Sequence, residues 1–307
     1  MRRFDATDAY LLAVLALFQT LEIAGSSALR EKTASLTARL AYHVSHQKRA
    51  RIGKHVQEFF GDAFDARALD RIVRGTFHCY WRDAFMLARI GFQTQLPHTA
   101  TRGLNFISDA LARGRGAILL ENSFFGQRNA AKQILRAHGF SIHQTHSREH
   151  LGGFYAQGET EIRARVIRPF LEAREKNFVA AIHYLPRGES LAVTRQLANL
   201  LQANKVFYLS GEGQLGHKHI TRDFLGHPRR FATGAINLSK LTGAPLLPLF
   251  CWRDETDQLQ LVIEPPLEFP NDARAAEIGM TNFATRLESY IRRYPDQYRN
   301  WQGAYLT

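Results

Sequence analysis

A carboxylate between two glycines, Gly211-Glu212-Gly213, directly follows the apolar run Val206-Phe207-Tyr208-Leu209. Open α/β sheets meet their ligands just past the C-terminal ends of strands, which is where this group would sit. Glu212 there can meet a ligand, or pin its own loop through backbone N–H groups. A second apolar run, Gly116-Ala117-Ile118-Leu119-Leu120, leads into Glu121-Asn122-Ser123. Desolvation that raised its pKa would make Glu121 a general base, with Ser123 beside it. The alternative is that this polar pair caps the following helix or binds backbone amides.

Other groups have a chemical and a plain reading side by side. His143, His146 and His150 fall close together, either supplying an imidazole or standing exposed on a basic surface. His183, just past an apolar run, is a base or a satisfied core histidine. Arg222, Arg229 and Arg230 flank Asp223–Pro228 and suit a phosphate, a carrier protein or a thioester cofactor, or belong to a general basic excess. Cys79 and Cys251 have no metal-ligand spacing, so reduced thiols and no metal are expected.

These groups need a scaffold. From about Asp8 to Gly91 the apolar residues recur at helical spacing, for example Ala66-Leu69-Ile72-Val73-Phe77. Beyond Pro97 strand-like and helical runs alternate, which indicates an α/β fold with a mostly parallel central sheet flanked by helices. Strands are expected at 116–120, 178–182, 206–209 and 245–250, with a half-exposed one at 259–264. Helices are expected from Gln127 to His138, Glu189 to Gln202 and Ala275 to Arg293. The division that follows is a helical N-terminal extension over 1–91 and an α/β domain over 92–307.

The chain has 307 residues, is 45% apolar and carries a net charge of +12, so it can bury a sizeable core and favours anionic partners. Nucleic acid is one such partner, but no recognition motif supports it. An anionic membrane leaflet and an acidic carrier protein remain. The apolar stretch Tyr10–Phe18, interrupted by Gln19 and Glu22, is too short to span a bilayer. A membrane-associating helix near 9–29 is expected, with Gln47-Lys48-Arg49-Ala50-Arg51 reaching anionic headgroups. The plain alternative is a first helix packed on the domain.

One ordered series joins these pieces: Asp223-Phe224-Leu225-Gly226-His227-Pro228, Thr233-Gly234, Leu241-Thr242-Gly243-Ala244-Pro245, Val262-Ile263-Glu264-Pro265-Pro266-Leu267 and Tyr294-Pro295-Asp296-Gln297-Tyr298. With Glu212-Gly213 it resembles the lipid A late acyltransferases, the lauroyl and myristoyl transferases of the glycerolipid acyltransferase superfamily. Gly211 stands where that family often has proline. The resemblance covers roughly Asp62 to Trp301. It implies transfer of a fatty acyl group from acyl carrier protein or acyl-coenzyme A to a lipid or glycolipid hydroxyl, with no bound cofactor. It also implies a monomer on the cytoplasmic face of the bacterial inner membrane.

The family's His-x4-Asp/Glu motif is degenerate here. Aligning Phe125-Gly126 with its Phe-Gly places Phe124 at the general-base histidine and Asn129 at the acid that orients it. Neither residue can do that work. Glu121, Ser123 and Glu212 are then the candidate catalytic groups. Gly126, Gly213, Arg222, Arg230 and Thr233 are the candidate substrate-binding positions. Either the base comes from elsewhere, or the chain is a catalytically inactive descendant that binds lipid, acyl chain or carrier protein.

Overall fold

The computed structural model describes residues 3–24, 27–89, 99–127, 129–146, 150–151, 154–155, 158–184, 190–212 and 218–302. Four helices come first: α1 (Ala6–Ala24), α2 (Ser27–Val44), α3 (His46–Phe60) and α4 (Ala66–Arg89). Then follow β1 (Thr99–Arg102), α5 (Leu104–Ala112), β2 (Ala117–Glu121), α6 (Ala130–Ala137) and β3 (Ile142–His146). A short pair, β4 (His150–Leu151) and β5 (Phe154–Tyr155), precedes a π-helical turn at Arg163–Ile167 and α7 (Arg168–Glu175). The rest is β6 (Ala181–Tyr184), α8 (Ser190–Gln202), β7 (Val206–Ser210), β8 (His219–Phe224), β9 (His227–Ala232), α9 (Gly234–Thr242), β10 (Leu246–Arg253), β11 (Leu259–Ile263) and α10 (Ala275–Arg293).

Seven strands form one sheet in the order β1-β11-β10-β2-β7-β3-β6. The five from β10 to β6 run parallel, and β11 pairs antiparallel with β10. The mostly parallel α/β expectation therefore holds. β2 explains why: Ala117, Ile118, Leu119 and Leu120 are all fully buried, as a strand covered on both faces must be. Ile118 and Leu120 face the core with α8, α9 and α10, whereas Ala117 and Leu119 face α5 and α6.

Three expectations shift. The strand placed at 178–182 begins at Ala181, because Phe178 and Val179 extend the end of α7, both N–H groups donating to the Glu175 carbonyl. Their side chains enter the cluster beneath α1. The helix placed from Gln127 starts at Ala130, after a 3-10 turn at Phe125–Gln127. β11 is buried rather than half-exposed, because β1 and β10 flank it and α5 covers it. The helix Ala275–Arg293 has the expected ends.

The leading helices share the core of the sheet: Tyr42, Ile52, Val56, Val73 and Phe77 pack in one cluster with Ile118, Leu120 and Phe124. α1 lays Leu11, Val14 and Leu15 against Trp81 and Phe85 of α4 and Leu171 of α7. Its start is tied down by Arg163, whose guanidinium reaches Asp5 at 2.6 Å and Asp8 at 2.8 Å. Phe4 lies exposed just before α1, Tyr10 and Leu17 on it, and Leu29, Leu36, Leu40 and Val44 on α2. Among the described residues no helix is long and apolar enough to cross a membrane. Lys48 of the basic stretch is turned inward, 4.2 Å over the Tyr80 ring, and burial, with Arg299 and Arg51 nearby, lowers its pKa to about 8.

Candidate active site at the strand ends

β2 and β7 are parallel neighbours, so their C-terminal ends lie side by side, with Glu121 in register with Ser210. The chain leaves β7 through Gly211, whose N–H donates to the Glu121 carbonyl at 2.7 Å. A Cβ at Gly211 would overlap the Phe283 ring and come within 2.9 Å of Leu120 Cγ. Phe283 of α10 thus fills the space beside this position, and only glycine fits there without displacing it.

Glu212, 4% exposed, is the centre of a buried cluster. Its Oε1 accepts the Ser123 backbone N–H at 2.7 Å. Its Oε2 accepts from Arg229 Nη2 at 2.8 Å, Asn300 Nδ2 at 3.0 Å and the Tyr298 hydroxyl. Arg229 Nη1 also donates to the Tyr298 oxygen at 2.5 Å. Burial opposes the charge on Arg229, yet Tyr298 and Glu212 outweigh it and hold its pKa above the ordinary range. Burial, joined by Glu212, pushes the Tyr298 hydroxyl well above its usual pKa. Both carboxylate oxygens of Glu212 are committed to protein donors.

One of those donors, Ser123, belongs to the turn after β2. The Ser123 carbonyl accepts the Arg299 N–H at 2.8 Å, and Phe124 bridges to Tyr298 across the same pair of segments. Asn122 locks the turn from behind, its Nδ2 donating to the Leu249 carbonyl at 2.9 Å while its Oδ1 accepts the Phe124 N–H at 3.1 Å. Phe124 is 2% exposed and part of the main core, with its ring centroid 6.0 Å from that of Tyr298. Asn129, buried at the start of α6, sends its Nδ2 to the Asp83 carbonyl at 3.3 Å and to Asp83 Oδ1 at 3.4 Å. The positions aligned with the family's histidine and acid are therefore a core aromatic and an amide spent on α4. Gly126 runs against β10, where a Cβ would lie 2.8 Å from the Cys251 carbonyl. Cys79 and Cys251 are both unpaired, and burial pushes the Cys251 thiol up to about 12.

The other sequence-derived candidates divide. Ser123 and Glu212 meet, but Glu121 follows the pleat of Ala117 and Leu119 onto the α6 side. There it helps raise the pKa of Tyr208, after burial, the larger cause. Thr233 is buried before α9, its hydroxyl donating to the Lys218 carbonyl at 3.2 Å. Arg222 donates to the Asp223 and Thr281 carbonyls at 2.6 and 2.7 Å, which ties β8 to α10 away from Glu212. Arg230 is exposed and meets His219 Nδ1 at 3.0 Å. Gly213 lies outside the described residues, and for His150 only the backbone is described. His143 and His183 sit on neighbouring strands with Nδ1 and Nε2 3.1 Å apart, and burial lowers both pKa values.

Tyr298 and Asn300 are not among the sequence-derived candidates, and Arg229, read there as a contact for a phosphate, carrier protein or thioester cofactor, is instead spent on Glu212. Arg229 did leave a trace: it sits one pleat from Phe231 in β9, on the buried face, while Arg230 points outward. Tyr298 and Asn300 reach Glu212 from the far end of the chain, and no local pattern announces that meeting.

A mainly parallel open sheet with polar groups gathered at its strand ends defines an α/β domain that handles ligands at that edge. The bacterial lipid A biosynthesis acyltransferase family matches residues 2–303, and the chain belongs to that family. It is similar to a phosphatidylinositol mannoside acyltransferase of Mycobacterium tuberculosis, 28% identical over 177 residues, or 56% of this chain and 51% of that protein. The likeness to its Mycolicibacterium smegmatis namesake is 24% over 241 residues, 78% and 73% of the two chains. The chain thus spans about half the length of the Mycobacterium tuberculosis relative it matches. Among the described residues no group of His, Cys, Asp and Glu side chains is placed to hold a metal ion.

Proposed function

We propose that this protein transfers a fatty acyl group from a thioester, carried by acyl carrier protein or coenzyme A, to a hydroxyl of a lipid or glycolipid. The observation that carries this reading is the Glu212 cluster. Burying Glu212 and Arg229 together is expensive, and well-packed apolar side chains would stabilise the fold at least as well. What the pair achieves is to hold the Ser123–Phe125 turn rigidly at the edge of the sheet where acyl transfer would occur, the kind of fixed geometry that catalysis by positioning and electrostatics needs.

The acceptor is an anionic glycolipid at the cytoplasmic face of the inner membrane, met by the protein as a monomer. The net charge of +12 and the exposed leucines of α2 support that placing. The relatives' names, which pair an acyltransferase with a phosphatidylinositol mannoside, support a sugar hydroxyl as acceptor. In the reaction the hydroxyl gives up its proton, its oxygen bonds to the thioester carbonyl carbon, and the thiol leaves. Phe124 takes no part in proton transfer.

The burial of Phe124 and the engagement of Asn129 with Asp83 favour a second reading, an inactive descendant that binds acyl chains or carrier protein. Purified protein incubated with acyl-carrier-protein and acyl-coenzyme A donors and a polar lipid extract, followed by mass spectrometry, separates the two. Acylated lipid is expected, reduced in Glu121→Gln and Glu212→Ala. Intact lipid binding with no product from either donor would leave the second reading standing.

A further inference from the structure

The α6 side of the sheet, opposite Phe124, carries a second polar assembly. Ile142, Gln144 and His146 alternate onto this side of β3, and Tyr208 lies beside Gln144 in register on β7. Lys132 of α6 is only 5% exposed; its Nζ donates to Gln144 Oε1 and stands 4.9 Å over the Tyr208 ring. The other end of that amide, Nε2, donates to Glu175 Oε2 at 2.7 Å. The same carboxylate oxygen lies 3.7 Å from Nε2 of His146, at an ion-pair distance. Lysine can only donate and carboxylate only accept, so the Gln144 amide has one orientation and the chain of contacts has one direction.

A lysine and a glutamate buried on either side of a neutral amide gain little stability from each other. The arrangement instead fixes a carboxylate 3.7 Å from an imidazole. His146 ends β3, its side chain is 16% exposed, and it lies at the C-terminal edge shared with β2 and β7. It is two strands from the end of β2, about 10 Å by strand spacing.

From this geometry we propose that His146 is the general base of acyl transfer in this protein, with Glu175 as its positioning residue and Gln144 and Lys132 fixing Glu175. The proposal rests on the acyl-transfer reading above. Nε2 faces the carboxylate, so Nδ1 takes the proton from the acceptor hydroxyl as its oxygen bonds to the thioester carbonyl carbon. The carbon–sulfur bond then breaks, and the imidazolium returns the proton to the departing thiolate. Ester and thiol are the products, and nothing else is consumed. Contact with substrate tightens base–carboxylate pairs that stand apart without it. The reacting centre thus moves across the sheet from the position Phe124 occupies.

The test uses the full chain, with palmitoyl-coenzyme A and palmitoyl-acyl carrier protein as donors and bacterial polar lipids in mixed micelles as acceptor. His146→Gln is expected to lower kcat by about 10²–10⁴ with KM little changed and the circular dichroism spectrum retained. Imidazole should partly rescue His146→Gly. Glu175→Gln should move the acid limb of the kcat profile to lower pH, because the imidazolium loses its anionic partner. In the wild type that limb should coincide with the His146 titration read by NMR, which needs no variant to fold. A kcat within about threefold of wild type in His146→Gln overturns the proposal, as does a mismatch between the two titrations. Loss in Glu121→Gln with His146→Gln active gives the base to Glu121 instead. A wild type inactive with both donors overturns the acyl-transfer reading itself.

Discussion

Removing Arg229 puts the Glu212 cluster to a direct test. In Arg229→Met the side chain keeps much of its length and apolar contact, but Glu212 Oε2 loses its cationic donor at 2.8 Å and Tyr298 loses a donor at 2.5 Å. Glu212 stays buried with the Ser123, Asn300 and Tyr298 donors alone. Breaking one side of a buried ion pair costs about 3–5 kcal/mol, because the remaining charge is left without compensation. A chain of this length has an unfolding entropy near ~0.6 kcal/mol per kelvin, so the melting temperature should fall by about 5–8 °C. Glu212→Gln in the same background removes the orphaned charge, and the double variant should recover part of the loss. Scanning calorimetry and urea denaturation of the four proteins give the coupling energy. A fall below about 2 °C for Arg229→Met, or losses that simply add, would mean the pair contributes little and would refute the reasoning.

Three further outcomes follow from other contacts. Gly211→Ala drives a Cβ into Phe283 and should destabilise by about 1–3 kcal/mol, whereas adding Phe283→Ala should relieve that increment; a neutral Gly211→Ala would show that the ring moves freely. Asn129→Asp restores the family's acid but sets it 3.4 Å from Asp83 Oδ1. The paired carboxylates raise each other's pKa in the folded state, so the variant should match wild type most nearly below about pH 4 and fall behind as pH rises; a pH-independent deficit in urea melts would contradict this. Burial depresses the pKa values of His78, with Arg82 adding to it, of His143, with His183 adding to it, and of His183. A depressed folded value means stability that is present above about pH 6.5 and lost as pH falls below it. His183→Asn should flatten that acid-side slope, and an unchanged slope in thermal melts from pH 8 to 5 would argue against it.

Much of the fold was readable because its strands are buried on both faces. Ala117–Leu120 and Leu246–Phe250 are continuous apolar runs, and α10 repeats its apolar residues at helical spacing. The β8–β9 hairpin was harder, since its strands are charged and read as a loop around Asp223–Pro228. The structure shows a two-residue turn at Leu225-Gly226 with both φ values positive. In the site, the glycines beside Glu212 marked one carboxylate, but the partners that saturate it come from 229, 298 and 300. Lys132 was invisible for a different reason. A lysine on an amphipathic helix reads as a solvated group, and only the packing of α6 on β3 and β7 places it in the interior. Phe124 and Asn129 show the reverse case, where a motif position was legible and its burial supplied the meaning.

The packing of Trp301 has a consequence for how the molecule folds. Trp301 is fully buried, donates through Nε1 to the Pro295 carbonyl at 2.6 Å and packs on Phe59, while its carbonyl meets His55 Nδ1 at 2.9 Å. The charged centre therefore closes only after residues 298–300 have been made. At a synthesis rate on the order of 5–20 residues per second, Arg229 follows Glu212 within a few seconds, whereas the Tyr298 and Asn300 donors come several seconds later. A chain cut before Tyr298 would keep the described strands but leave Glu212 without its Tyr298 and Asn300 donors.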